Sequence, residues 1–176
     1  MAFSRGVGDL FPEFHLSAVS VENQFIQLDS SSLKSKWMVL FYWPLDFTPI
    51  CPTEIVEFSR MVSSFRERNT LLLGASVDSK YVHLAWKKSD SRLTHLEFDM
   101  LADNKRELIE KLGILHPTEK LALRATYIVD PNGIVRWLSV NDIEVGRNVS
   151  EVLRVLDALQ TGELCPVNWA PGQVTL

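Results

Sequence analysis

From Lys36 to Thr161 the sequence alternates short apolar runs with amphipathic stretches, and this alternation limits the folds open to the chain more than any other feature. KWMVLFYW (36–43) and TLLLGASVD (70–78) are bounded by polar or turn residues, as buried strands are. ALRATYIVD (122–130) and IVRWLSV (134–140) flank Pro131-Asn132-Gly133, a hairpin signal. Between the first runs, Ile55, Phe58, Val62 and Phe65 recur at spacings of three and four, which predicts a helix. Further helices are expected over Lys80 to Lys88, over KRELIEKL (105–112) ahead of Gly113, and in NVSEVLRVLDALQTG (148–162), where Gly162 ends an apolar stripe. The order is β-α-β-α, then further strands including the hairpin, then a last helix and an irregular tail. That describes an α/β fold with a mixed sheet covered by helices.

A chain of 176 residues is most simply one domain with a core large enough to need no metal or disulfide. Eighteen basic against 22 acidic residues give a net charge of −4, and no basic cluster exceeds Lys87-Lys88. A nucleic-acid or anionic-membrane surface is therefore not indicated. MAFSRGVGDLFPEF carries no apolar run of signal-peptide length, and no stretch approaches the roughly 20 residues that span a bilayer. The expectation is a cytoplasmic protein. In a reducing compartment its two cysteines, Cys51 and Cys165, are buried and inert, metal ligands, or redox-active.

Local chemistry argues against an inert Cys51. The apolar run ends before Pro44 and the helical stripe begins at Ile55, so Cys51 falls at a helix entry, with Pro52 suited to the first helical position. Amide N–H groups there lack intrahelical partners and carry partial positive charge, which favours a thiolate. Thr48, three residues upstream, can set a hydroxyl beside the sulfur. A local dithiol is excluded, because Thr48 and Glu54 occupy the positions three away on either side. Zinc is disfavoured too: His15, His83, His95 and His116 are scattered singly, and each reads as structural or exposed rather than ligating. A cysteine-hydrolase pair of Cys51 with a distant His stays open at this level.

PLDFTPICPTE (44–54) resembles the active-site motif of the peroxiredoxins, and GELCPVNW (162–169) resembles the resolving-cysteine segment of the typical two-cysteine subgroup, the bacterial alkyl hydroperoxide reductase C type. SVDSKYVHLAW (76–86), LRATYIVDPNG (123–133) and VGRNVSEVLRVLDALQ (145–160) are similar to family segments in the same order. The resemblance spans nearly the whole chain. It implies a thioredoxin-like fold with N-terminal and C-terminal extensions, a peroxidase domain over residues 1–160, and a tail over 161–176.

It further implies roles. Cys51 is the peroxidatic thiolate, oxidised by a peroxide to a sulfenic acid. Thr48 orients the peroxide, Pro44 shields the sulfur, and Arg124 stabilises the thiolate and the departing oxygen. Glu54 and Arg147 hold Arg124 in place. Cys165 is the resolving cysteine, forming an intermolecular disulfide with Cys51 of the partner subunit. That requires local unfolding around residues 49–53, which a proline after Cys51 favours. The implied partners are hydrogen peroxide and alkyl hydroperoxides, an external dithiol reductant (a thioredoxin-like protein or a flavoprotein disulfide reductase), and further copies of the chain. Those copies form a homodimer and then a ring, commonly a decamer, with Phe47, Ile50 and Trp86 offered as apolar ring contacts. No bound cofactor is implied, because the sulfur carries the redox chemistry.

Pro49-Ile50 stands where Phe-Val is usual in the family, which touches the rate of loop opening rather than the chemistry. The segment KKSDSRLTHLEF (87–98) lacks the Gly-Gly-Leu-Gly insertion of easily overoxidised members, and seven residues follow Trp169 with no Tyr-Phe helix. Both imply resistance to overoxidation. Two rivals remain at the level of sequence: a redox-switched holdase, and a thiol–disulfide oxidoreductase, the latter disfavoured by the missing CxxC.

Overall fold

In the computed structural model, which describes residues 5–33 and 35–176, strands and helices follow one another as the apolar runs require. The first four residues of the N-terminal stretch discussed above, and Lys34, lie outside them. The strands are β1 (His15–Val19), β2 (Phe25–Asp29), β3 (Trp37–Tyr42), β4 (Thr70–Ser76), β5 (Asp99–Ala102), β6 (Arg124–Val129) and β7 (Val135–Asn141). The α-helices are α1 (Cys51–Arg60), α2 (Val62–Glu67), α3 (Lys80–Ser89), α4 (Glu107–Leu112) and α5 (Val149–Thr161). Among the described residues these strands form one seven-stranded sheet in the order β2-β1-β5-β4-β3-β6-β7. β3, β4 and β5 run parallel, and every other neighbouring pair is antiparallel.

Side chains alternate across a strand, and β3 shows how this divides the core. Val39, Phe41 and, just beyond the strand, Trp43 face Ile55, Phe58 and Phe65 of α1 and α2 and Val152 and Leu156 of α5. Met38, Leu40 and Tyr42 face the opposite layer with Leu108, Ile109 and Leu112 of α4. Both faces of β3 are covered, which is why its sequence reads as an unbroken apolar run.

The helix expected from Ile55 to Phe65 divides at Met61. The Met61 amide reaches back to both the Glu57 and Phe58 carbonyls, at 3.3 and 3.1 Å, with φ −96° and ψ 4°. α1 also begins earlier than its apolar stripe: Cys51 is its first residue, so Pro52 takes the second helical position rather than the first. A proline in the first turn loses no intrahelical bond, which makes this placement tolerable. β1, β2 and β5, short strands that alternation does not announce, complete the sheet on one side. Asn23 at φ 62° closes the β1–β2 hairpin in the left-handed region that asparagine accepts.

Candidate active site

Register brings the site together. Phe41 of β3 pairs with Thr126 of β6, so Arg124, at the start of β6, lies where the chain leaves the carboxyl end of β3. That is also where the loop from Trp43 to Ile50 leads into α1, and the ends of parallel strands are where α/β sheets place their clefts. The loop is tied down along its length. The Trp43 amide bonds Ala75 O at 3.0 Å, and the Asp46 amide bonds Asp78 Oδ2 at 2.8 Å.

Cys51 is fully buried. Arg124 Nη1 stands 3.4 Å from its Sγ and 2.7 Å from Glu54 Oε2, while Arg124 Nε donates to Ile143 O at 2.7 Å. Arg147 grips the same carboxylate as a fork: Nε to Oε1 and Nη2 to Oε2, both at 2.8 Å, with its own amide on Oε1 at 2.9 Å. Its Nη1 donates to Ala125 O, and its guanidinium lies over the rings of Phe41 and Phe58 at 5.2 and 5.6 Å. Glu54 is buried between two guanidinium groups. Burial alone would raise its pKa, yet the hydrogen bonds and charge of Arg147, with the charge of Arg124, outweigh burial and hold the carboxyl below its ordinary value.

The charge count of this enclosure is two guanidinium cations against one carboxylate. A net positive charge is left beside the Cys51 sulfur, in a site shielded from water, where it acts strongly. The Ile50 N-cap contributes no side-chain acceptor; its carbonyl takes the Thr53 amide at 3.0 Å, and Pro52 has no amide hydrogen.

The family resemblance placed Cys51, Glu54, Arg124 and Arg147 in one site, and in the fold their side chains meet. The Arg147 side chain is buried, unlike the exposed arginines that loops commonly carry. Pro44 is buried at the start of the loop. The Thr48 hydroxyl donates to Leu45 O at 2.9 Å, so its proton is spent within the loop and its lone pairs remain to accept. Cys165 is not brought to Cys51 within the chain. It is half-buried on the end of α5, with Sγ 3.7 Å from Ala158 O and 3.5 Å from Thr161 Oγ1, and both cysteines are free thiols.

Of the three apolar residues offered as ring contacts, Phe47 is 59% exposed and Ile50 is half-buried, whereas Trp86 is core. Its indole lies under the Phe47 ring, with centroids 5.7 Å apart. The sequence reading missed Asp46 and treated His83 as one of four scattered histidines. In the fold these two side chains are wholly buried and in contact. The signal was available, since His83 lies three residues before Trp86 on the buried face of α3.

A mixed sheet whose central strand leads into a helix beginning at a buried cysteine, backed by an arginine from the neighbouring antiparallel strand, defines a thioredoxin-like thiol enzyme. Comparison with known proteins then fixes the family. Residues 7–138 match the AhpC/TSA family. The chain is 44% identical over 181 residues to alkyl hydroperoxide reductase C of Mycolicibacterium smegmatis, covering 97% of this chain and 92% of that one. It is 41% identical over 177 residues to peroxiredoxin-1 of Gekko japonicus, covering 97% and 89%. Its fold is similar to that of the reduced 2-Cys peroxiredoxin of Plasmodium vivax, with a TM-score of 0.93, 38% identity and coverage of 96% and 91%. Mycobacterium tuberculosis AhpC gives a TM-score of 0.86 at 42% identity, covering 94% and 99%. The chain belongs to the AhpC/TSA family and is a peroxiredoxin, a thiol-dependent peroxidase.

Proposed function

We propose that Cys51 is the peroxidatic cysteine, that Cys165 resolves it across a dimer, and that hydrogen peroxide and alkyl hydroperoxides are the substrates. The observation that carries this reading is the 3.4 Å approach of Arg124 Nη1 to Cys51 Sγ inside an enclosure of net positive charge. A thiolate completes that charge balance. It attacks the terminal peroxide oxygen, the O–O bond breaks, and the leaving alkoxide or hydroxide takes up a proton. Cys51 becomes a sulfenic acid. Arg124 faces the charge as it moves from sulfur to oxygen, which is the placement electrostatic catalysis requires. Thr48, its proton committed to Leu45, accepts a hydrogen bond from the peroxide O–H. Pro44 excludes water from the sulfur, while Glu54 and Arg147 keep Arg124 from turning away.

The sulfenic acid then condenses with the Cys165 thiol of the partner subunit, releasing water and forming an intermolecular disulfide. A buried Cys51 in the first turn of α1 cannot meet that sulfur without local unfolding of residues 49–53. The tail over residues 161–176 must loosen with it. An external dithiol protein, thioredoxin-like or a flavoprotein disulfide reductase, returns both thiols by exchange. The cycle fits the reducing cytoplasm. It makes the homodimer obligatory, and exposed Phe47 offers an apolar contact for a ring of dimers, commonly a decamer. Among the described residues no helix is long and apolar enough to cross a membrane.

Non-reducing electrophoresis after one equivalent of peroxide tests the scheme. Covalent dimers should form only when both thiols are present. Dimers in Cys51→Ser or Cys165→Ser would overturn it.

A further inference from the structure

Asp46 lies in the active-site loop between Pro44 and Thr48, and His83 lies on α3. Their side chains are both fully buried, and Nδ1 of the histidine is 2.6 Å from Oδ2 of the aspartate. The rest of the hydrogen-bonding pattern fixes how many protons this contact holds. His83 Nε2 is 3.0 Å from the carbonyl of Leu101 on β5, which can only accept, so Nε2 carries a hydrogen. Asp46 Oδ1 accepts from Trp43 Nε1 at 2.7 Å. The short contact between the two therefore needs one proton, on Nδ1 or on Oδ2. Without it two acceptors would face each other in the core; with it the pair has no net charge, whichever atom holds the proton.

Of the charged groups around the pair, Asp78 acts on the Asp46 carboxyl and the others are engaged elsewhere. Asp78 accepts the Asp46 amide and the Ser76 hydroxyl, both at 2.8 Å. On α3, Lys80 lies over the rings of Phe25 and Tyr81, and Lys87 donates to the carbonyls of Ser20 and Val21. Beyond β5, Asp103 is taken up by the Tyr42 hydroxyl and the amides that open α4. Burial pushes the Asp46 carboxyl above the ordinary range, and Asp78 adds to this, while hydrogen bonds from His83 and Trp43 act the other way. A shared proton is what such a balance favours.

The pair joins three elements: the active-site loop, α3 and β5. The next residue, Phe47, adopts φ 58°, a left-handed conformation that an aromatic residue takes only when its surroundings impose it. Its ring rests on Trp86, three residues along α3 from His83. Two successive loop residues are thus pinned to one helix, directly before Thr48. We propose that Asp46 and His83 are positioning residues for the peroxide step, a one-proton buried pair that sets where Pro44 and Thr48 stand relative to the Cys51 sulfur. This rests on the peroxidatic reading of Cys51, and neither side chain touches the substrate.

The test measures the second-order rate of Cys51 oxidation by hydrogen peroxide, and separately the rate at which a dithiol protein reduces the disulfide. Asp46→Ala and His83→Gln should slow the first by about tenfold to hundredfold, the cost of a catalytic group misplaced by about an ångström. The second should stay unchanged. Asp46→Asn can still accept from Trp43 and donate to Nδ1, so it should recover most of what Asp46→Ala loses. In the unmodified protein, nitrogen-15 histidine spectra should show His83 protonated at Nε2, with an exchange-protected, far-downfield proton on its other nitrogen's contact. This arm needs no variant to fold.

A His83 ring without a protonated Nε2 would overturn the proposal. So would variants in which both rates fall together in proportion to lost folded protein, or an Asn variant no better than the Ala one. Peroxide consumption that survives Cys51→Ser would instead remove the peroxidatic reading beneath it, a result distinct from the others.

Discussion

Glu54 and Arg147 meet as a two-pronged fork, two contacts of 2.8 Å made 93 positions apart in the sequence, and the same carboxylate also holds Arg124 at 2.7 Å. One acidic residue in the first turn of α1 thereby fastens the loop before α5 and the start of β6 to the helix that carries Cys51. Bidentate pairs of this kind are the strong members of their class, and removing one partner leaves the others buried and unpaired.

Glu54→Gln should therefore cost about 3–5 kcal/mol of stability, as breaking a buried pair does. The variant should also change the acid limb. The folded-state pKa of Glu54 lies below its ordinary value of 4.5, so the stability it contributes is fully present above that value. It is lost as pH falls through the lower folded value. Urea unfolding between pH 7 and pH 3 should show the unmodified protein losing ground below about pH 4.5. The Gln variant should be lower throughout, with a shallower acid decline. Parallel declines would mean that Glu54 is not the titrating group.

Arg124→Lys tests the electrostatic role. A lysine keeps the charge but not the planar fork that reaches Ile143 O, Glu54 and the sulfur together. Removing a donor aimed at developing charge costs about a hundredfold to a thousandfold. Single-turnover oxidation of Cys51 should slow on that scale, while Cys165, outside this enclosure, should react with a thiol reagent as before. An oxidation rate within a fewfold of the original would show that the arginine only supports the fold.

Local rules alone made Cys51 legible, whereas Arg124, Glu54, Arg147 and Cys165 were legible through the family resemblance of the segments that carry them. Cys51 stands at a helix entry flanked by Pro49 and Pro52, and Arg124 is a charged residue in an otherwise apolar strand. The strands β3, β4, β6 and β7 were legible for a similar reason, since burial on both faces or a Pro-Asn-Gly turn writes itself into composition. What escaped depends on tertiary contact. β1 and β2 pair only with short neighbours, and their hairpin turns at Asn23 with no glycine to mark it. The break at Met61 leaves the apolar spacing intact. The spacing of His83 from Trp86 marks it only as a residue on the buried face of α3; its pairing with Asp46 has no local signature, because it arises from the placement of α3 over the active-site loop.

Gly74 tests how closely the core over the site is packed. A Cβ built there would lie 2.7 Å from both Phe98 and Trp43 and 3.0 Å from Phe41, and no rotamer change at the glycine relieves this. Gly74 lies on β4 opposite Phe41 of β3, so the three rings would have to move. Gly74→Ala should destabilise by about 1–3 kcal/mol or more, as overpacking does. It should also displace Trp43, whose indole bonds Asp46, and so slow Cys51 oxidation beyond its effect on folding. Thermal unfolding and peroxide kinetics on the same samples would separate the two effects. A full-speed, fully stable variant would show the rings to be freer than their spacing implies.

The last relationship concerns release of the tail. Arg154 on α5 donates from Nη1 to the carbonyl of Trp169 at 2.7 Å, and its other nitrogens bind Glu151 at 2.6 and 2.7 Å. Trp169 is 4% exposed, the only residue beyond Gly162 that is buried among those described, and its Nε1 donates to Gln173 O. Around it Leu164, Val167, Val174 and Leu176 are largely exposed, so one indole and one arginine hold a segment that otherwise packs little. The Arg154–Glu151 pair is half in solvent and adds little by itself. The bond to Trp169 should contribute about 1 kcal/mol, worth roughly a fivefold change in how often the tail opens. Arg154→Gln should raise hydrogen exchange over residues 163–176 by that factor and leave α1 untouched. In the proposed cycle Cys165 leaves its seat on α5 to reach the partner subunit, so disulfide formation after peroxide addition should quicken, while the rate of Cys51 oxidation stays the same. Exchange unchanged over the tail would mean that Trp169 alone seats it; faster exchange without faster disulfide formation would place the slow step in the unfolding of α1 at Cys51 instead.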